Sequence, residues 1–209
     1  MNVLGHTFVA RATGPDDPEF LLGAVLPDLA PMAGVRLARG GIDGVLGAGV
    51  RCHLRTDDVF HGDPRFRQGM RALRTELAGR GVDSGPARAV GHAGWELLLD
   101  GTLVDTATAA EFASAVAVGE RALPVLAAGD RPRWAAFLAR ARASGGGLRY
   151  DDPDWVADRL HAMLARRPRL RLPAGQVTIV AAALGAQLPA VRSVASAVLA
   201  DTTAAVAVA

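Results

Sequence analysis

The chain has 209 residues, half of them apolar, with a net charge of +2 and a pI of about 9.4. That length is enough for a real core and one domain over residues 1–209, while so small a charge, with no aromatic-plus-basic platform, argues against a nucleic-acid partner. All 23 basic residues are Arg, which points to base composition rather than to a site. The single cysteine, Cys52, excludes a disulfide framework, and the N-terminus lacks the basic start and long apolar stretch of a secretory signal, so the expected setting is the cytoplasm.

In chain order, residues 1–12 are mostly apolar and begin a helix. Gly14-Pro15-Asp16-Asp17-Pro18 is a turn cluster that favours a helix start near Glu19. The apolar run Phe20 to Leu26 meets Pro27-Asp28 and then Pro31, so a bend is expected there. Gly40-Gly41 is a further break, with Asp43 as a cap. A helical pattern runs from Ile42 to Gly62-Asp63-Pro64, although Gly44, Gly47 and Gly49 each weaken it by about 1 kcal/mol against Ala. Arg65 to Arg80 carries Phe66, Met70, Leu73 and Leu77 at i, i+4, i+7 and i+11, an amphipathic stripe.

Gly79 to Pro86 reads as a loop, and Ala87 to Leu99 as a helix broken at Gly101. Asp105 to Leu126 reads as one long Ala-rich helix ending around Pro124, and Arg133 to Ala143 as another with Trp134, Phe137, Leu138 and Ala141 inward. Ser144-Gly145-Gly146-Gly147 is a connector. Asp151-Asp152-Pro153 starts a helix that runs to about Ala165 and is stopped by Arg166-Arg167-Pro168. Val177 to Ala209 is rich in Ala and Val, but Gln187, Pro189, Arg192 and Asp201 interrupt it short of the roughly 20 apolar residues of a membrane span. One or two buried helices and no membrane span are expected there. No alternating run flanked by hairpin turns is present, so the fold class is all-α.

The chemistry-bearing residues cluster in four segments. His53, Asp57 and His61 stand at i, i+4 and i+8, and each step of four turns only about 40° around a helix axis. They line one face, as a polar stripe or as ligands. His92 and Glu96 repeat the i, i+4 pairing among Val90, Trp95, Leu97, Leu98 and Leu99, where a carboxylate is costly to bury unless paired or bound to a cation. The other reading is that Glu96 points to solvent. His6 sits between Leu4 and Phe8, where a hydrogen-bonded core histidine is the plain alternative. Asp28 follows Pro27 and reads equally as a turn acid. Four of the five histidines fall in these segments, and with Asp28, Asp57 and Glu96 they supply enough ligands for two metal ions or three. His161 has no acid at that spacing and reads as structural.

Three segments carry a resemblance: Met1 to His6, Leu21-Leu22-Gly23-Ala24-Val25-Leu26-Pro27-Asp28, and Gly49 to Asp57 with Cys52-His53-Leu54-Arg55-Thr56-Asp57 at its end. Together with Leu160 to Leu170, they resemble the bacterial acyl carrier protein phosphodiesterase family over residues 1 to about 100 and about 155 to 172. The resemblance implies an HD-domain-like helical bundle. It also implies hydrolysis of the phosphodiester that joins 4′-phosphopantetheine to a carrier-protein serine, with Mn²⁺ or Mg²⁺. His6, Asp28, His53 and Asp57 would then be metal-site residues, and Arg55 would lie near the phosphate. The chain departs from the family pattern at Leu54 and Thr56, at His92, Trp95 and Glu96, and by the addition of His61. These departures make the ligation richer in nitrogen, so Zn or Fe enters beside Mn and Mg. Asp57 or Glu96, if not fully committed to metal, would orient a water, with Arg55 neutralising the phosphate. Other small phosphodiesters, a zinc-dependent phospholipase C-like hydrolase, an HD-like iron enzyme, and a non-catalytic helical binding protein with a structural metal remain open.

Overall fold

A computed structural model describes residues 1–37, 41–143 and 148–208. Gly40 and the Ser144 to Gly147 connector therefore lie outside the described residues. The regular elements are helices: α1 Val3–Thr13, α2 Pro18–Ala33, α3 Gly44–Gly62, α4 Pro64–Gly79, α5 Ser84–Gly101, α6 Ala107–Ala117, α7 Arg131–Ala143, α8 Pro153–Leu164 and α9 Val177–Val208, with short 3-10 turns between some of them. Among the described residues there is no strand, only one isolated bridge between Leu37 and Leu126. The fold is all-α, as expected. The chain groups into two compact units: Met1–Val59, Asp105–Gly147 and Asp201–Ala209 form the first, and Phe60–Val104 and Leu148–Ala200 the second.

In the first unit, α1 packs on α2, and both pack on α6, with α7 against α2 and α6. Val3, Leu4, Val9, Leu22, Leu26 and Trp134 are buried there. Asp17 caps α2 by accepting from Glu19 N at 2.7 Å, and Pro18 fills the first turn, where its missing N–H costs nothing. The chain stays helical at Pro27 and Pro31: α2 runs through both prolines to Gly34, whose φ of 67° ends it. Each proline costs a helix about 3 kcal/mol. Burial of Phe20 through Leu26, Leu29 and Ala30 offsets that cost. Asp28 is consequently a residue of the helix interior rather than of a turn.

The glycines expected to weaken α3 have another role. A Cβ on Gly49 would meet the carbonyl oxygen of Phe20, and one on Gly23 would meet that of Leu46. These two glycines let α2 and α3 cross almost backbone to backbone, which sets the distance between Asp28 and His53. Gly49→Ala is expected to cost about 1–3 kcal/mol, the usual range for overpacking, in urea unfolding despite Ala's better helix propensity. A stabilised variant would show that the close crossing is not needed.

The helix expected over Asp105 to Leu126 is shorter. α6 stops at Ala117, and Gly119–Val125 continues as a 3-10 turn. Gly119 sits under Leu138, and its carbonyl accepts Trp134 Nε1 at 2.9 Å, so packing of α7 takes the carbonyl that a longer helix would have used.

In the second unit, α4 packs on α5 and α5 on α8. Asp63 caps α4 and Asp152 caps α8. Phe66, Leu73 and Leu77 are buried as their spacing predicts, while Met70 is half-buried. α5 begins at Ser84, three residues before the expected start. The Ala-rich end is a single helix, α9, that continues through Pro189. It buries one side, including Val180, Leu184, Val191 and Val198, and leaves much of the other exposed, so the expectation of a wholly buried element needs correction. By length and composition alone, Ala174–Val208 could cross a membrane.

Candidate metal centre

α1, α2 and α3 bring His6, Asp28, His53 and Asp57 together inside the first unit. One ligand atom each from His6, Asp28 and His53 lies within 4.8 Å of the other two. His6 Nε2 is 3.2 Å from Asp57 Oδ1 and 3.8 Å from Asp28 Oδ2, and His53 Nε2 is 3.4 Å from Asp57 Oδ2. Ligands on one tetrahedral ion with bonds of about 2.0–2.1 Å stand about 3.4 Å apart, so these separations match donors around a cation. The Met1 α-amino group also donates to Asp57 Oδ1, at 2.9 Å.

His53 is oriented from behind. Its Nδ1 donates to the Ala24 carbonyl at 2.8 Å, which leaves Nε2 as the ligating nitrogen of the neutral ring. The Nε2 contact with Asp57 is the i, i+4 pair that the sequence spacing predicts. His6 and His53 stack, with ring centroids 3.8 Å apart and planes 22° from parallel. His6 is buried, and neither of its ring nitrogens has a hydrogen bond of good geometry among the described residues. An imidazole so placed is costly unless something takes its lone pair.

The electrostatics separate the two rings. Burial pushes the His6 pKa down to about 3, with the Met1 amino group and His53 adding to the fall, so His6 is neutral. Burial also opposes protonation of His53, but the Asp57 contact and the charges of Asp28 and Asp57 outweigh it and raise the His53 pKa. Burial alone would raise Asp57, yet His53, His6 and the Met1 amino group hold it well below the usual carboxylate range. The metal-free cluster therefore favours a proton on His53 Nε2, with which a cation would compete. Metal affinity is expected to rise up to about tenfold per pH unit below the raised His53 pKa and to level off above it. Calorimetric titration in buffers of different ionisation enthalpy checks this, with close to one proton released per ion on the acid side. Affinity that does not change with pH would remove His53 from the ligand set.

His61, His92 and Glu96 meet inside the second unit, from α3 and α5. His61 Nε2 is 3.0 Å and His92 Nε2 3.2 Å from the same oxygen, Glu96 Oε1. Burial would raise the Glu96 pKa, but neighbouring positive charge and the hydrogen bonds of both imidazoles hold it low, so it is a carboxylate. Glu96 thus faces the two rings instead of pointing away to solvent.

Arg55 joins neither set. It stands two residues from both His53 and Asp57, about 200° around α3, and its Nη2 donates to the Val206 carbonyl at 2.9 Å. His161 Nδ1 lies 2.9 Å from the Leu172 carbonyl, a structural contact. Sequence reasoning did not find the Ala24 carbonyl or the Met1 amino group. Backbone and terminal groups leave no residue-type signal. No family model, curated protein or solved structure matches the chain.

Proposed function

We propose that the chain is a metal-dependent phosphohydrolase of the phosphodiesterase type, with its metal centre at His6, Asp28, His53 and Asp57. The observation that supports this best is His6: a fully buried, neutral imidazole with no hydrogen bond of good geometry among the described residues, beside a second imidazole and two carboxylates. The donor set of two nitrogens and two carboxylates suits Mn²⁺, Zn²⁺ or Fe²⁺, and Mg²⁺ less well. A bound divalent ion supplies a water of lowered pKa and polarises a phosphoryl oxygen.

The residues of the chain do the rest. Ala24 fixes the ring of His53, and the stack with His6 fixes both imidazoles. Asp57 touches both imidazoles and is partly exposed, which suits it, as a lasting carboxylate, to accept a hydrogen bond from an incoming water and orient it. Asp28, also partly exposed, faces the same set from α2. The resemblance of three of these segments to acyl carrier protein phosphodiesterases supports an HD-like arrangement and a carrier-protein phosphopantetheine diester as substrate. The chain should hydrolyse bis-p-nitrophenyl phosphate after loading with Mn²⁺ or Zn²⁺ and should release phosphopantetheine from a holo carrier protein. No turnover of either substrate by fully loaded protein would reduce the centre to a structural one.

A further inference from the structure

The second cluster is independent of that reading, and its geometry carries its own assignment. We propose that His61, His92 and Glu96 form a second metal site, a two-histidine, one-carboxylate set for a zinc-class divalent cation with coordination positions open to solvent.

Three observations support it. First, the donors converge. The Nε2 atoms of both histidines aim at one carboxylate oxygen, at 3.0 and 3.2 Å, and all three ligand atoms lie within 4.8 Å of one another. Donors on one tetrahedral ion stand about 3.4 Å apart, so a cation replaces the two shared protons with little movement of the rings.

Second, the rings are held before any ion arrives. Phe66 lies edge-on to His92 at 5.4 Å between centroids and tilted to His61 at 5.5 Å, and the two imidazoles are 5.1 Å apart. Trp95, 2% exposed, packs edge-on to Phe66 in turn. Gly69 makes this possible, because a Cβ there would strike the Trp95 indole. The set therefore has a packed support that a chance surface trio lacks.

Third, burial is uneven in the way an open site requires. The Glu96 side chain is 13% exposed, while His61 and His92 are 37% and 45% exposed. The carboxylate anchors the set from inside, and the imidazoles reach outward. Three protein ligands with a solvent-facing side leave room for water or an anionic oxygen, the arrangement of catalytic rather than structural zinc sites. Two neutral nitrogens with a single carboxylate favour zinc, cobalt or ferrous iron over Mg²⁺, which prefers oxygen.

Metal-free full-length protein titrated with Co²⁺ tests the assignment. Visible d–d absorption and bound cobalt per chain are the readouts, with CD as a check on folding. In wild-type protein a visible band should develop that excess Mg²⁺ leaves unchanged and Zn²⁺ abolishes. Glu96→Gln keeps an acceptor for both imidazoles but removes the charge, and it should weaken this site roughly a hundredfold and remove one equivalent of cobalt. His92→Ala, at a half-exposed position, should remove the same equivalent. His53→Ala should keep it. Full cobalt binding by folded Glu96→Gln and His92→Ala would overturn the proposal, as would loss of all cobalt in folded His53→Ala. If the phosphohydrolase centre is wrong and this site is right, wild type binds one equivalent and Glu96→Gln none. If only the phosphohydrolase centre is right, His53→Ala alone loses metal.

Discussion

His53→Ala should lose metal at the first centre and phosphodiester hydrolysis together, each by about a hundredfold or more. The size follows from where His53 sits. It supplies Nε2 to the cluster, its Nδ1 is tied to the Ala24 carbonyl, and it forms one half of the stack that orients His6. Removing a group that only orients a ligand costs roughly 10–100-fold in metal affinity, and in the proposed centre His53 would both ligate and orient. The substitution also leaves the Ala24 carbonyl without the imidazole, at about 1–3 kcal/mol, so the thermal midpoint of the metal-free variant must be measured beside its metal content. Asp57→Asn, which keeps the shape and a carbonyl acceptor but not the charge, should fall in the same direction with less effect on folding. The assay is metal per chain by mass spectrometry after dialysis, paired with bis-p-nitrophenyl phosphate turnover. A folded His53→Ala protein with wild-type activity would rule out this centre as the catalytic one.

Much of the fold was legible because its signals are local. Asp17 and Asp152, each followed by proline, start α2 and α8 where capping chemistry predicts. The stripe of Phe66, Leu73 and Leu77 finds the core of the second unit. The errors came where tertiary packing overrides local preference. Pro27 and Pro31 are helix-breaking residues, but an apolar run buried on nearly every side keeps α2 helical through them. Gly49 read as a weakness of α3 and is a close-contact point, since one sequence does not reveal which backbone passes nearby.

The same division governs the candidate sites. Pairs at i, i+4 on one helix, His53 with Asp57 and His92 with Glu96, could be read from spacing. Which further residues complete each pair could not. Residues 53, 57 and 61 share a stripe of α3, yet the first two meet His6 and Asp28, whereas His61 meets His92 and Glu96. Arg55 follows the motif in sequence but lies on another face of the helix, where Val206 takes it.

Substituting His6 separates stability from function. His6→Leu should leave the metal-free protein at least as stable as wild type and abolish metal-induced stabilisation of the first centre. A buried imidazole with no hydrogen bond of good geometry among the described residues costs the fold free energy, which a leucine of similar size recovers through apolar burial. Wild-type protein should gain about 2.7 kcal/mol from an ion at a hundred times its dissociation constant, and the variant should gain nothing from that centre. The pH dependence gives a second signature. The folded pKa of His6 is about 3, below the usual value of 6.5, so between them the unfolded chain binds the extra proton. Acidification through that window therefore destabilises wild type, by up to about 1.4 kcal/mol per pH unit, and the contribution is fully present only above pH 6.5. His53, with its raised pKa, has the opposite sign: it stabilises below its unfolded pKa, and the contribution fades as pH rises through the folded value. The two act on opposite sides of pH 6.5. In His6→Leu only the His53 contribution remains, so the difference between the two stability profiles should widen steadily from neutral pH towards pH 3. If His6→Leu is strongly destabilised without metal and keeps its full metal-induced shift, His6 is a structural core residue and the centre has another ligand in its place.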